Sequence, residues 1–189
     1  MSVSRRRFIG TSFAVSALAA TPALGSASGD TALPKIYESV SSSSNSTRTQ
    51  QVMQLASQYA LQMNHWHLGT EHLFFAIAKE SERTNTQWMD DLGLSSEEID
   101  CVVNYVVGRG QTSGRTQPVD SDLLASDNLK ACLEQAEQAA SELGHDQVQP
   151  EHLMLGIIDS FGTTANMLLN EMWIERGSIR HVALNALGT

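Results

Sequence analysis

The chain has 189 residues, of which 41% are hydrophobic, 6% aromatic and 17% charged, with four prolines. This composition is typical of one helical globular domain or two small ones, and it excludes a large multidomain machine and a disordered chain. Twelve basic against 21 acidic side chains give a net charge of −9, which argues against nucleic acid and anionic lipid as partners because both need a positive surface.

The first residues have the pattern of an export signal. Arg5 and Arg6 stand in the string Ser-Arg-Arg-Arg-Phe-Ile-Gly, and a short, moderately apolar stretch and small residues follow. This pattern resembles the twin-arginine signal peptide. It predicts a signal over residues 1–27, a periplasmic or extracellular product, and contact with the membrane only during export. The alternatives are a basic N-terminus before a short buried helix, and an uncleaved anchor.

Residues 28–48 are rich in serine and poor in apolar side chains, which predicts a flexible linker. Cleavage after residue 27 would remove three arginines and no acidic residue. Nine basic against 21 acidic side chains would remain, a net charge of −12. We therefore expect cationic, arginine-bearing proteins or peptides as partners.

The rest of the chain, residues 49–189, contains an internal duplication. A shift of 80 residues aligns 52–108 with 132–188 without a gap and makes twelve positions identical, where unrelated stretches would share roughly three or four. We predict a first repeat at about 49–108 and a second at about 129–188, joined by a connector rich in Gly, Ser and Thr. Three of the matched pairs have polar side chains suited to a site: His65 and His145, Glu71 and Glu151, His72 and His152.

Each repeat is predicted to form four helices. In the first repeat, apolar residues at spacings of three and four predict a helix from Val52 to Met63. Thr70 is predicted to cap the second helix, a third is predicted around residues 85–92, and the Ser-Ser-Glu-Glu capping box at 95–98 opens the fourth.

The second repeat follows the same pattern. Pro150 suits the first turn of its second helix, where the missing N–H costs nothing, and Met167 and Leu168 lie in its third helix. Trp88 in the first repeat and Trp173 in the second are predicted to be core residues, because they stand at helical spacing.

The strings Gly69-Thr70-Glu71-His72-Leu73 and Pro150-Glu151-His152-Leu153, with the junction Val107-Gly108-Arg109-Gly110-Gln111 between them, resemble the Clp repeat of the Clp ATPase N-terminal domain, ClpC-type. The resemblance covers about residues 46–188. It implies an all-α fold in which two four-helix Clp repeats pack as one pseudo-twofold, eight-helix domain. It also implies a domain that docks substrates and adaptors for a protein-unfolding ring.

The sequence contains neither a Gly-x4-Gly-Lys-Ser/Thr phosphate loop nor a nucleophile elbow. We therefore predict an exported, stand-alone, non-catalytic module that binds protein or peptide and uses no ATP and no other cofactor. The alternative is an accessory or adaptor protein that docks onto a Clp chaperone–protease complex in the cytoplasm.

The resemblance also implies ligand sites at two helix starts. In ClpC-type domains the glutamate of the Thr-Glu-His string contributes to pockets for phosphorylated arginine, and the matching positions here are Glu71, with Thr70 beside it, and Glu151. The second repeat has Pro150 for threonine and Gln149 for glycine, so it lacks one hydroxyl. The acidic surface disfavours phosphate, which makes an arginine-bearing peptide the expected ligand. The competing interpretation is that both glutamates only complement helix dipoles.

Histidines and cysteines leave two further questions. His65, His67 and His72 cluster in sequence but match neither His-Glu-x-x-His nor His-x-x-Glu-His, so we predict hydrogen-bonding roles at helix ends and no metal site. Cys101 and Cys132 leave a disulfide and two free thiols both open.

Overall fold

The computed structural model describes residues 45–111 and 123–188. Within these ranges the fold is helical, and the all-α class is confirmed. In chain order the elements are α1 Thr47–Gln62, β1 His67–Leu68, α2 Thr70–Thr84, a 3-10 helix Asp90–Leu92, α3 Ser96–Val106, β2 Leu124–Ala125, α4 Asp127–Glu142, α5 Pro150–Asp159, α6 Thr164–Glu171 and α7 Arg176–Leu187.

Two segments are predicted at the N-terminus, and the structure describes only the end of the second. The signal predicted at 1–27 and residues 28–44 of the predicted linker lie outside the described residues. The last residues of that linker belong to the fold, because Ser46 is the N-cap of α1. A serine run is ambiguous in sequence, since the same hydroxyl suits a solvated linker and a helix cap. None of the described helices is both long and apolar enough to cross a membrane.

Side-chain caps fix where four of the described helices, α1, α3, α4 and α6, begin. The hydroxyl of Ser46 accepts a hydrogen bond from Thr49 N–H at 3.2 Å, and Ser126 accepts one from Leu129 N–H at 3.1 Å. The predicted capping box at 95–98 is present. Each cap satisfies an N–H group that has no partner within its own helix, so the helix starts are encoded locally.

The two repeats differ in their third element. The second repeat forms α6, whereas the helix predicted around 85–92 is reduced to the 3-10 helix Asp90–Leu92. The cause lies in the preceding helix: α5 ends before Gly162, which has a left-handed φ of +75°, while the matching residue Glu82 stays inside α2. Because α2 runs longer, fewer residues remain for the next helix.

Backbone hydrogen bonds tie the two repeats together reciprocally. Ser46 N–H donates to the carbonyl of Val148 at 3.1 Å, and Ser126 N–H donates to the carbonyl of Leu68 at 2.9 Å. The two donors are 80 residues apart in sequence, and the two acceptors are also 80 residues apart. The parallel pair β1–β2 belongs to the second exchange. This reciprocity is the pseudo-twofold relation, expressed in the main chain.

In each repeat the core lies between the first two helices, which are α1 and α2 in the first repeat and α4 and α5 in the second. Small side chains fill the core where these helices approach closely. Ala56, Ala60 and Ala136 are fully buried. A Cβ on Gly156 of α5 would lie 2.3 Å from the carbonyl oxygen of Cys132 in α4, so only glycine allows that approach. Both cysteines are free: Cys101 is exposed, and burial raises the pKa of the Cys132 thiol to about 12.

One core prediction is wrong. Trp88 is buried as predicted, but Trp173 is 91% exposed and Met167, in the same repeat, is 54% exposed. Trp173 follows α6 in a left-handed conformation with φ of +56°. Gly93 occupies the matching position in the first repeat and has the same conformation. The left-handed turn takes the Trp173 side chain off the apolar stripe that its spacing predicts.

Candidate functional site

Glu71 lies at the N-terminus of α2, where its carboxylate folds back over Gly69. A Cβ on Gly69 would lie 2.4 Å from both carboxylate oxygens, so the glycine provides the space that the carboxylate fills. Burial raises the pKa of Glu71, and three contacts oppose this: a hydrogen bond from its own backbone N–H, an electrostatic interaction with His65 and a hydrogen bond from Thr164. The carboxylate therefore lies at a helix start, mostly buried and held toward the first turn of α6.

Thr70 is buried beside Glu71 but does not cap its own helix. Gly69 is the N-cap of α2, and the Thr70 hydroxyl accepts a hydrogen bond from Ala165 N–H at 3.1 Å, in the first turn of α6. The sequence prediction that Thr70 caps α2 is thus wrong. A capping residue has the extended backbone that Gly69 has, whereas Thr70 already lies in the helix and its hydroxyl contacts the free N–H of a facing helix start.

Two histidine pairs brace the two helix starts in the same way. Gly69 N–H donates to His72 Nδ1 at 2.9 Å, and His72 Nε2 lies 2.8 Å from His65 Nδ1. His65 Nε2 lies 3.0 Å from the carbonyl oxygen of Gly108. One set of neutral tautomers satisfies all three contacts: His72 donates through Nε2–H, and His65 donates through Nε2–H to Gly108.

The second repeat reproduces the first two of these contacts with the residues that match by the 80-residue shift. Gln149 N–H donates to His152 Nδ1 at 2.9 Å, and His152 Nε2 lies 2.9 Å from His145 Nδ1. Burial lowers the pKa of His72 to about 3 and that of His152 to about 4, with the neighbouring histidine contributing in each pair. Both inner histidines are therefore neutral near pH 7.

His65, Glu71 and His72 form the one group of potential metal ligands among the described residues. The Nδ1 of His72 lies 3.3 Å from a Glu71 oxygen, but this contact is not an ion pair because His72 is neutral and its Nδ1 accepts the Gly69 N–H. A metal ion would have to displace hydrogen bonds at each ring nitrogen. The donor set fits the predicted bracing role better than a metal centre.

Glu151, at the start of α5, is held by an arginine of the other repeat. Arg48 donates to Glu151 Oε1 at 3.0 Å through one nitrogen, and its two other nitrogens donate to both oxygens of Glu80 at 3.0 Å. Glu80 is fully buried and Glu151 nearly so. Burial disfavours the charge on Arg48, but the hydrogen bonds and charges of the two glutamates outweigh it and raise the pKa of the guanidinium.

Two clefts meet at the Arg48–Glu151 ion pair. One has a volume of about 620 Å³ and includes His145 and Gln149 in its lining. The other, of about 420 Å³, includes Trp88. The ion pair lines both, so it is the polar boundary between them and is accessible from both sides.

The two glutamate sites are not equivalent, because the second repeat has no arginine at the place of Arg48. Asn128 stands there, exposed, and Ser160 stands at the place of Glu80. The 80-residue shift pairs Arg48 with Asn128 and Glu151 with Glu71. Asn128 therefore has the position relative to Glu71 that Arg48 has relative to Glu151. Among the described residues no lysine or arginine forms an ion pair with Glu71. Glu151 has an internal guanidinium, and Glu71 has none within residues 45–111 and 123–188.

The model of the Clp repeat (R) N-terminal domain matches residues 44–186. This chain belongs to that family. The ClpC/MecB protein of Bacillus subtilis, named a negative regulator of genetic competence, is 32% identical over 142 residues, which are 75% of this chain and 17% of that protein. The chaperone ClpB of Oceanobacillus iheyensis is 29% identical over 142 residues, with the same two shares. The chain thus spans 17% of the length of these relatives.

Two solved structures, one of them a Clp N-terminal domain, have the same fold. The N-terminal domain of the chaperone ClpD from Arabidopsis thaliana superposes with a TM-score of 0.65 at 16% identity, over 80% of this chain and 99% of that one. A chain from a malarial protein secretion system gives a TM-score of 0.59 at 20% identity, over 75% of this chain and 93% of that one. The two-repeat architecture of the Clp N-terminal domain is therefore shown for this chain.

Within this Clp N-terminal domain the structure brings each predicted site residue to a helix start, but it adds partners that the sequence does not indicate. Glu71 and Thr70 both contact the first turn of α6, in the other repeat. Arg48 and Glu80 were not predicted as site residues. Arg48 falls within the residues predicted as linker, and its bond to Glu151 joins positions 103 residues apart, so no local pattern reveals it.

Proposed function

We propose that this Clp N-terminal domain is an exported module that binds arginine-bearing protein segments at the Glu71 helix start and acts by binding rather than by catalysis. The observation that carries the proposal is the contrast between the two glutamates. The carboxylate of Glu151 accepts a hydrogen bond from a guanidinium of its own chain, that of Arg48, at 3.0 Å. Within the described residues the matching carboxylate of Glu71 has no lysine or arginine partner, and its neighbours are His65, His72 and Thr164.

The chemistry of the Glu71 site suits a guanidinium. A carboxylate at a helix start is already stabilised by backbone N–H groups, and a planar guanidinium adds charge-assisted hydrogen bonds. Burial raises the pKa of Glu71 despite the opposing contacts of its own N–H, His65 and Thr164, and binding of a guanidinium would relieve that cost. Docking of protein segments is also what the resemblance to Clp N-terminal domains implies.

The binding test uses a fluorescein-labelled hexapeptide with one central arginine and a citrulline counterpart, which keeps the shape and loses the charge. Anisotropy titrations compare wild type with Glu71→Gln and with the matched variant Glu151→Gln. We expect the citrulline peptide and the Glu71→Gln variant each to lose about tenfold in affinity, the size of one charge-assisted hydrogen bond. The Glu151→Gln variant should keep the affinity of wild type.

Unchanged affinity in Glu71→Gln contradicts the proposed site. A phosphoarginine version of the peptide is the third probe, and tighter binding of that peptide than of the arginine peptide contradicts the preference for an unmodified guanidinium. Thermal unfolding of each variant verifies that a loss of affinity is not a loss of fold.

Export is the second part of the proposal, and the paired Arg5 and Arg6 before an apolar stretch support it. Residues 1–30 fused to a reporter should direct the reporter out of the cytoplasm, and Arg5→Lys/Arg6→Lys should abolish this. Cytoplasmic retention of the unaltered fusion contradicts export and favours the accessory role on a Clp complex. The binding experiment is independent of this result.

A further inference from the structure

A second surface, which we call the α6–α7 corner, lies where the chain turns from α6 into α7. It consists of Phe161, Met167, Glu171, Trp173, Glu175 and Arg176. Among the described residues Trp173 is the most exposed large apolar side chain, at 91%, followed closely by Tyr105 and Phe161. Aromatic residues, methionine and arginine are enriched in protein–protein interfaces relative to the rest of a protein surface.

The internal duplication shows that the fold does not require these side chains. At the positions of Phe161, Met167 and Trp173 the first repeat has small or polar residues: Ser81, Gln87 and Gly93. Both repeats form the same turn, since Gly93 and Trp173 have φ of +66° and +56°. The aromatic corner is thus an addition to the second repeat.

Trp173 also carries a conformational cost that its own contacts do not offset. A residue with a Cβ is disfavoured in the left-handed region, where glycine is not. A side chain that is almost fully exposed gains nothing from burial in the fold. Trp173 therefore costs folding free energy relative to glycine, and this cost favours a role in a contact outside the domain.

The charges at the corner indicate what that contact is. The Arg176 guanidinium lies 4.7 Å from the ring centroid of Phe161, so this surface already holds a cation on an aromatic ring. Tryptophan is the aromatic residue best suited to that interaction. Glu171 and Glu175, two residues on either side of Trp173, are exposed and form no ion pair within the described part of the chain.

We propose that the α6–α7 corner contacts a lysine or arginine side chain of a partner protein, with the cation on the Trp173 ring and its charge met by Glu171 and Glu175. The net charge of −9 over the chain favours approach of such a segment. This surface is separate from the Glu71 site. Glu71 contacts Thr164, the first residue of α6. Glu171 is the last residue of that helix, so the two ends are about 11 Å apart along its axis.

The experiment is made on the full chain carrying Glu71→Gln, so that the first site does not contribute. The probe is a labelled octapeptide of alternating arginine and glycine, with glutamine in place of arginine as its control. In this background we compare Trp173→Gly, Trp173→Leu and Glu171→Gln/Glu175→Gln with the parent. Each should weaken binding of the arginine peptide about two- to fivefold, and the glutamine peptide should bind more weakly to the parent.

Two results overturn the proposal. Equal affinity of Trp173→Gly and the parent shows that the ring takes no part. Equal affinity of Trp173→Leu and the parent shows an apolar contact instead of a cation on a ring. Trp173→Gly installs the residue of the first repeat, so a lower affinity cannot come from unfolding. If only Glu71→Gln lowers binding in the wild-type chain, the corner is excluded and the Glu71 site stands.

Discussion

Arg48 in the first repeat and Glu151 in the second are joined by a hydrogen-bonded ion pair of 3.0 Å. The same guanidinium holds both oxygens of Glu80 in its own repeat. One cation thus serves two buried carboxylates that lie on different repeats. This arrangement links the stability of the domain to the difference between its two candidate ligand sites.

Loss of Arg48 should destabilise the domain strongly. Arg48→Ala leaves Glu80 and Glu151 buried without a cation, and breaking a buried pair in this way costs about 3 kcal/mol. Chemical denaturation should show this loss in the free energy of unfolding. The matched control is Asn128→Ala, at the same position of the second repeat, where the exposed side chain should make a difference below about 0.5 kcal/mol. Equal effects of the two substitutions would show that the ion pair does not stabilise the fold.

The buried histidines predict a stability that falls in mild acid. The pKa of His72 is lowered to about 3 and that of His152 to about 4, whereas an unfolded chain binds these protons near pH 6.5. The unfolded state therefore gains protons first, and the free energy of unfolding should fall as the pH drops from about 6.5 toward 4. Each histidine contributes about 1.4 kcal/mol per pH unit in that window.

Glu71 acts in the opposite direction, because its raised pKa lets the folded state bind a proton before the unfolded state does. It should offset part of the loss as the pH falls through the raised pKa of Glu71 toward the unfolded value of about 4.3. Denaturation curves at pH 7.5, 6.5, 5.5 and 5.0 measure the profile. A free energy of unfolding that is constant from pH 6.5 to 5.0 would rule out two neutral buried histidines.

Gly69 should be intolerant of a side chain for a reason that applies to one repeat alone. In Gly69→Ala the new Cβ would collide with the Glu71 carboxylate and expel it from the helix start, at a cost of about 1 kcal/mol. Gly69→Ala should also lower the affinity for the arginine peptide, as Glu71→Gln does. Gln149→Ala is the control, since the second repeat already has a side chain there. Full peptide affinity in Gly69→Ala would mean that the folded-back carboxylate is not needed.

The left-handed turns of the two repeats give a reciprocal pair of substitutions. Trp173→Gly should raise the free energy of unfolding by up to about 1 kcal/mol, and Gly93→Ala should lower it by about 1 kcal/mol. The signs differ because one change removes a Cβ from the left-handed region and the other adds one. Thermal denaturation of both proteins gives the test, and a destabilised Trp173→Gly would show that the indole supports the fold.

Much of the fold could be predicted from sequence because its signals are local. The capping box at 95–98, Pro150 at the first turn of α5 and the apolar stripes each depend on residues within a few positions of one another. The internal duplication also predicts that the two repeats pack against each other. The extra length of α2, which reduces the third helix of the first repeat, could not be predicted so well, because it depends on Gly162 in one repeat and Glu82 in the other.

The candidate site was predictable in position but not in its contacts. Glu71 and Glu151 are found by their place at matched helix starts. Arg48 is missed because its partners are 32 and 103 residues away, and such distances leave no periodic signal. Trp173 is misassigned because helical spacing does not report a left-handed turn at the helix end. The unequal sites therefore become visible only when the repeats are compared in three dimensions.

Whether Glu71 binds a guanidinium from outside the chain is tested most directly by the affinity of the arginine hexapeptide for Asn128→Arg. This substitution places in the second repeat the arginine that the first repeat has at position 48, where it can occupy Glu71 from within the chain. We expect Asn128→Arg to bind the arginine hexapeptide at least tenfold more weakly than wild type does, with no loss of thermal stability. An affinity equal to that of wild type in a folded Asn128→Arg protein would contradict it.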